Sequence, residues 1–247
     1  ASASFTPLAE VISGLFSTFL YDGNATAKSI NNGINLSGKG GLVWTKQRSD
    51  SRDHQLYDTA RGADKAIESS DTSVEHSGGL GVIAFNSNGF NLGTGSRANQ
   101  NGEEFVSWTF RNQSKFFDVV KYDSSSGNVT NFGSAGATVN HNLGSVPGMI
   151  LVKCTDTSST NWKVYHRGLN GGTNPEQYEI ELNQTGAQAD SANSWNDTAP
   201  TSTQFTLGAS GDVNNGSRSY VAYLFAHNNS DGGFGPDSED IIKCGTY

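Results

Sequence analysis

Gly41-Leu42-Val43-Trp44-Thr45-Lys46 recurs further along the chain as Gly148-Met149-Ile150-Leu151-Val152-Lys153, and that recurrence decides the fold. Tyr57 has its counterpart in Tyr165, and Arg61-Gly62 in Arg167-Gly168. Phe90-Asn91-Leu92-Gly93 returns as Phe205-Thr206-Leu207-Gly208. Asn101-Gly102 with Phe105-Val106 returns as Asn215-Gly216 with Tyr220-Val221. The order is kept while the offset drifts, as loop insertions of a few residues would cause. A period of roughly 110 residues is the size of a whole domain, too long for one solenoid or propeller unit. The sequence therefore predicts two tandem domains, and arrays of that kind more often bind, space or build than catalyse.

The repeated hexapeptide is short, apolar and β-branched, suited to a buried strand. Phe105-Val106-Ser107-Trp108-Thr109-Phe110 and Tyr220-Val221-Ala222-Tyr223-Leu224-Phe225 carry alternating bulky residues and close each repeat. Asn-Gly pairs at 32–33, 88–89, 101–102, 170–171 and 215–216 favour the left-handed turns that join antiparallel strands. The expected fold is mainly β: two tandem antiparallel β-sandwich repeats of jelly-roll or lectin-like type. A short N-terminal amphipathic helix is expected over residues 7–20. There Leu8, Val11, Ile12, Leu15, Phe16, Phe19 and Leu20 fall on one apolar stripe, behind Thr6 as cap and Pro7 as first helical residue. Leu8, Val11, Ile12, Leu15 and Phe16 are accordingly candidate subunit contacts, with packing onto their own domain as the alternative. The expected organisation is an N-terminal segment at 1–17, a first repeat at 18–113, a second at 114–230, and 231–247 as linker. That last stretch holds the first strand of a possible third repeat, because Asp240-Ile241-Ile242-Lys243 resembles Asp118-Val119-Val120-Lys121.

Charged residues make up 16% of the chain and aromatics 10%, which describes a polar-surfaced, loop-rich folded protein. The net charge of −8, with no Lys/Arg cluster, argues against nucleic acid as a partner, since phosphates need a basic footprint. The same charge argues against an anionic membrane surface, and no apolar run is long enough for membrane insertion. Cys154 and Cys244 read as unpaired strand thiols, and the His and Cys spacings fit no zinc site. Asp50-Ser51-Arg52-Asp53 and Asp212-Val213-Asn214-Asn215 offer oxygen ligands, but not at the spacing of a calcium loop. Neither metal nor cofactor is expected.

The search for catalytic residues finds none. The five histidines (His54, His76, His141, His166, His227) are scattered, and no nucleophile elbow, phosphate loop or dinucleotide fingerprint occurs. Glu179 and Glu181 share a strand face and could form a retaining glycosidase pair, yet the first repeat has no equivalent, and a solvated strand face is the plainer reading. Trp162 and Trp195 sit in polar contexts rich in Asn, Ser and Asp, the setting in which aromatic rings stack on sugars. With Tyr57 and Tyr165 they are the candidate glycan contacts; core positions are the alternative.

The succession Tyr21-Asp22-Gly23-Asn24, Gly41–Asp50, His54–Ala63 and Phe85–Gly93 is matched in the second half by Trp195–Thr203 and Phe205–Gly208. It resembles the tandem repeat domain of tail-fibre-like structural proteins of marine tailed bacteriophages, those of cyanobacteria and related hosts. The resemblance covers residues 18–247 and transfers no catalytic residues. It implies a virion structural protein at the surface of an extracellular particle, a tail fibre or appendage component contributing to host-surface glycan recognition. Its expected partners are other virion proteins and further copies of itself, with a trimer favoured. The alternative is a capsid decoration or tail-lattice protein acting only through protein–protein packing.

Overall fold

A computed structural model of the chain describes residues 12–78, 81–228 and 242–245. It is mainly β, with several antiparallel sheets. In chain order the strands are β1 (Phe16–Asp22), β2 (Lys28–Asn31), β3 (Gly41–Gln47), β4 (Gln55–Asp58), β5 (Ile67–Glu68), β6 (Val82–Asn86), β7 (Gly89–Leu92) and β8 (Glu104–Arg111). They continue with β9 (Phe117–Tyr122), β10 (Val129–Thr130), β11 (Ala137–Asn140), β12 (Pro147–Cys154), β13 (Lys163–His166), β14 (Tyr178–Glu181), β15 (Ala189–Asp190), β16 (Gln204–Leu207) and β17 (Tyr220–Ala226). Two one-turn helices, α1 (Ser96–Asn99) and α2 (Ala192–Trp195), precede the β8 and β16 segments.

The chain divides into two compact units, residues 1–66 with 76–112, and 67–75 with 113–247. In the first unit, strands run β1-β8-β3-β4 in one sheet and β2-β7-β6 in the other. Both supply its core: Tyr21, Val43, Tyr57 and Phe105 meet Ile30, Val82, Phe90 and Leu92. The second unit also has two sheets, β15-β14-β13-β12-β17-β9 and β10-β11-β16. Tyr122, Ile150, Val152, Tyr165 and Tyr220 there meet Val139, Phe205 and Leu207. Gly89 at the β6–β7 turn has φ +132, and a Cβ there would lie 2.0 Å from the Ile30 carbonyl oxygen, so the turn demands glycine.

A single set of polar contacts recurs in both units. Asn99 Nδ2 donates to the Thr26 and Gly93 carbonyls at 2.7 Å each, while its Oδ1 accepts from Asn24 N at 3.0 Å. Asn214 Nδ2 donates to Ser134 O at 2.8 Å and Gly208 O at 2.7 Å, and its Oδ1 accepts from Gly133 N at 2.7 Å. One residue upstream, Ala98 O accepts from Tyr21 Oη at 2.9 Å, and Val213 O from Tyr122 Oη at 2.8 Å. Those tyrosines stack on Phe105 and Tyr220, with centroids 5.3 and 5.2 Å apart. Each asparagine thus closes the loop after the first strand onto the loop before the last, and pairs the buried carbonyls of Gly93 and Gly208.

The helix expected over 7–20 does not extend past residue 15. Residues 7–11, with Leu8 and Val11, lie outside the described residues, and Phe16–Asp22 form β1, paired in full register with β8 from Phe16↔Phe110 to Asp22↔Glu104. Seven ladder positions and the Tyr21 stack outweigh the helical spacing of the apolar residues. Ile12 is exposed, Leu15 is buried, and Phe16 is half-buried against Phe110 at 4.8 Å. The units part at 112/113, and residues 67–75 belong with the second unit. Residues 242–245 form no strand. Ile242 packs on the second core and its carbonyl accepts from Asn228 N at 3.2 Å.

Asn99→Ala and Asn214→Ala each remove three hydrogen bonds from buried or partly buried backbone. Each is expected to cost about 3 kcal/mol in urea unfolding, against about 1 kcal/mol for Tyr21→Phe. A cost below that of Tyr21→Phe would show that the bracket is dispensable.

Candidate functional site

Trp44 and Trp108 stand directly opposite each other on β3 and β8, on the sheet face turned away from the first core. Their rings meet edge to face, 6.4 Å apart at 83°. His54, immediately before β4, is brought over them by the loop of residues 48–54. Its ring lies parallel to Trp108 (6.1 Å, 12°) and edge-on to Trp44 (5.8 Å, 78°). Trp44 Nε1 donates to His54 Nδ1 at 2.8 Å, so the neutral imidazole carries its proton on Nε2. Burial first, and the nearby Lys46 ammonium second, lower the His54 pKa; Asp53 works the other way. Lys46 Nζ donates to the carbonyls of Gln47 at 2.5 Å and Asp50 at 2.9 Å, which leaves its third N–H. All four side chains are half-buried, and Leu20 on the neighbouring edge strand is 59% exposed.

The second unit carries the same arrangement in other residues. Leu151 and Tyr223 face each other across β12 and β17, and Trp162 precedes β13 as His54 precedes β4. Trp162 stacks on Tyr223 at 6.2 Å and 20°. Lys153 Nζ donates to the carbonyl of the next residue, Cys154, at 2.9 Å, as Lys46 does to Gln47, and to Thr160 Oγ1 at 2.9 Å. Here the cluster is closed, with Trp162 and Lys153 both at 0% exposure. Residues 67–75 lie along it: Glu75 N donates to Thr155 O, Ser159 N to Thr72 O, and Trp162 Nε1 to Glu68 O at 2.8 Å. Burial lowers the Lys153 pKa, while the charges of Cys154, Asp71 and Asp212 oppose that shift.

The four aromatic residues expected at a binding surface are core. Trp162, Trp195, Tyr57 and Tyr165 are 0%, 2%, 1% and 5% exposed. Trp195 meets Tyr165 edge to face inside the second unit, and Tyr57 lines a small cavity with Asp64, His76, Gly81 and Arg97. Trp44, His54, Lys46 and Trp108 were missed by sequence reasoning, because tryptophans inside strong strands read as core. The available signal was parity: Trp44 and Lys46 alternate with the inward Val43, Thr45 and Gln47.

Glu179 and Glu181 do share a face, but the Lys163 ammonium fills the space between them at 2.8 and 2.6 Å, with Asp212 at 3.8 Å. Ser194 Oγ also donates to Glu179. Burial pulls the Lys163 pKa down, but the bonds and charges of the two glutamates outweigh it, and the net shift is upward. An acid–nucleophile pair needs one free carboxylate and one protonated one, and this triad instead makes a closed ion-pair set. Among the described residues no group of three or more His, Cys, Asp or Glu side chains could hold a metal ion, and no helix is long and apolar enough to cross a membrane.

A family model described as a domain of unknown function, DUF7483, matches residues 12–236, and so runs through both units. The chain belongs to that family. No curated protein and no solved structure matches it.

Because the His54 pKa lies below the ordinary 6.5, the folded chain binds fewer protons than the unfolded chain between the two values. Stability from this residue is therefore complete above 6.5 and declines as pH falls toward the folded value. Protonating Nδ1 also ends the bond from Trp44. In an NMR titration the His54 ring and the Trp44 indole N–H should shift together with a midpoint below 6.5; a midpoint at or above it contradicts the geometry. Lys163→Met, which leaves three carboxylates facing one another, should cost about 3 kcal/mol in denaturant unfolding.

Proposed function

We propose that the chain is a structural protein of a bacteriophage virion, part of a tail fibre or similar appendage, built as two tandem β-sandwich repeats of jelly-roll type. The shared asparagine brackets support the duplication, and the resemblance of the repeated motifs supports the setting. One observation carries the functional reading: a cluster closed by chain in one unit is open in the other. An open face of two indoles, an imidazole and an ammonium is a surface for contact, not a catalytic centre. The protein works at the surface of an extracellular particle as a homo-oligomer, trimeric by preference, bound to other virion proteins. No enzymatic activity, cofactor, nucleic acid or membrane insertion belongs to this reading.

Host-surface glycan recognition is the second role, favoured by the half-exposed rings of Trp44 and Trp108 beside Lys46, since indole faces stack on sugars while an ammonium fixes a polar group. Repetition does not multiply that site, because the second unit's counterpart is covered. Packing alone, as in a capsid decoration or tail-lattice protein, is the competing reading, favoured by exposed Leu20 on an edge strand. Immunogold labelling of intact particles separates them. Label at distal fibres is the expected result; label over the shell or tail tube would leave only packing.

A further inference from the structure

We propose that the open face of the first unit docks an acidic peptide segment from another polypeptide, in the manner in which residues 67–75 lie on the second unit. The inference rests on the reading of this face as a contact surface.

The second unit shows what such a face accepts. Its occupant is Ile67-Glu68-Ser69-Ser70-Asp71-Thr72-Ser73-Val74-Glu75, which carries three carboxylates and no cation. The occupant supplies two kinds of group. The Glu68 carbonyl takes the Trp162 indole proton at 2.8 Å, and the Asp71 carboxylate acts on the Lys153 ammonium. The first unit presents the complements of both at the matching positions. His54 stands where Trp162 stands, and the bond from Trp44 to Nδ1 obliges the neutral ring to carry its proton on Nε2. That N–H is therefore a donor in the place of the Trp162 indole N–H. Lys46 stands where Lys153 stands and is held the same way, on the carbonyl of the following residue. Its remaining contact is a second carbonyl, that of Asp50. Trp108 replaces Tyr223 as the ring beneath, and Trp44 replaces Leu151, which adds stacking area.

Charge complementarity decides the class of occupant. A basic segment would bring like charge to the Lys46 ammonium on docking, whereas an acidic one brings the opposite charge to it. Within an appendage built from such modules, the open face of one chain would take an acidic segment of its neighbour.

The test uses the full chain, isotopically labelled, and a synthetic peptide of the sequence Ile67–Glu75. Saturable shifts of the Trp44 and Trp108 indole signals and the His54 ring are expected. Affinity should fall about tenfold for a peptide with Asp71→Asn, and equally for the Lys46→Gln protein, and should weaken as salt is raised. Lys46 is half-exposed, and the fold of Lys46→Gln is checked from the remaining spectrum; Trp108→Leu, which stays apolar but removes the ring, should also lose binding. Shifts confined to the second unit, or an affinity indifferent to Asp71 and Lys46, would overturn the proposal. A galacturonate tetrasaccharide serves as the competing probe. If it moves the Trp44 and Trp108 signals and the peptide does not, the peptide dock falls while the contact surface stands. If neither moves them at millimolar concentration and low ionic strength, both fall.

Discussion

The asparagine brackets are the constraint on which the architecture depends. Each unit must join two sheets through long, irregular loops, and loops carry backbone groups that cannot be buried unpaired. Asn99 and Asn214 solve this with one side chain that both donates twice and accepts once, tying the exit of the first strand to the approach of the last. The hydroxyls of Tyr21 and Tyr122 fix the adjacent residue, and their rings enter the core beside Phe105 and Tyr220. Only a residue with both amide functions fits: Asp would lose the two donors, and Leu all three bonds. Gly23, on the first loop, comes so near Gln100 that a Cβ would sit 1.9 Å from its carbonyl oxygen. That approach shows how tightly the bracket draws the chain together.

On that scaffold the outward faces of the two large sheets are free to diverge. Both keep a stacked ring pair and a lysine held on the next carbonyl. What differs is access. In the second unit, residues 67–75 bring a carbonyl to the indole and a carboxylate charge to the lysine, and the cluster becomes interior. In the first unit the same chemistry stays half-buried. Aromatic rings kept at a surface cost apolar exposure, and the partner contact proposed above would offset it.

The strands were legible because apolar, β-branched runs and Asn-Gly turns announce themselves locally: Gly41–Gln47 and Pro147–Cys154 contain both copies of the repeated hexapeptide. The brackets were not, since one buried Asn in an Asn-rich chain looks like any turn residue, and the Asn101-Gly102 match drew attention two residues downstream of Asn99. The helix over 7–20 failed from Phe16 onward because spacing alone cannot register a strand partner ninety residues away, here Phe110. The polar neighbours of Trp162 suggested a glycan contact as well as a core position; the bond that closes its indole goes to Glu68, a residue distant in sequence. That the counterpart of Trp162 lies near His54 was legible in the repeat; that His54 supplies a donor there was not. The two share a position and a donor, not a side-chain type.

The most direct measurement is oxidative footprinting of the four tryptophans, read by mass spectrometry, on the isolated chain and on the particle proposed to carry it. The account predicts that Trp44 and Trp108 oxidise readily in the isolated chain while Trp162 and Trp195 resist, and that Trp44 and Trp108 become protected in the particle. Oxidation of Trp162 as fast as Trp44, or no change at Trp44 and Trp108 on assembly, would contradict it.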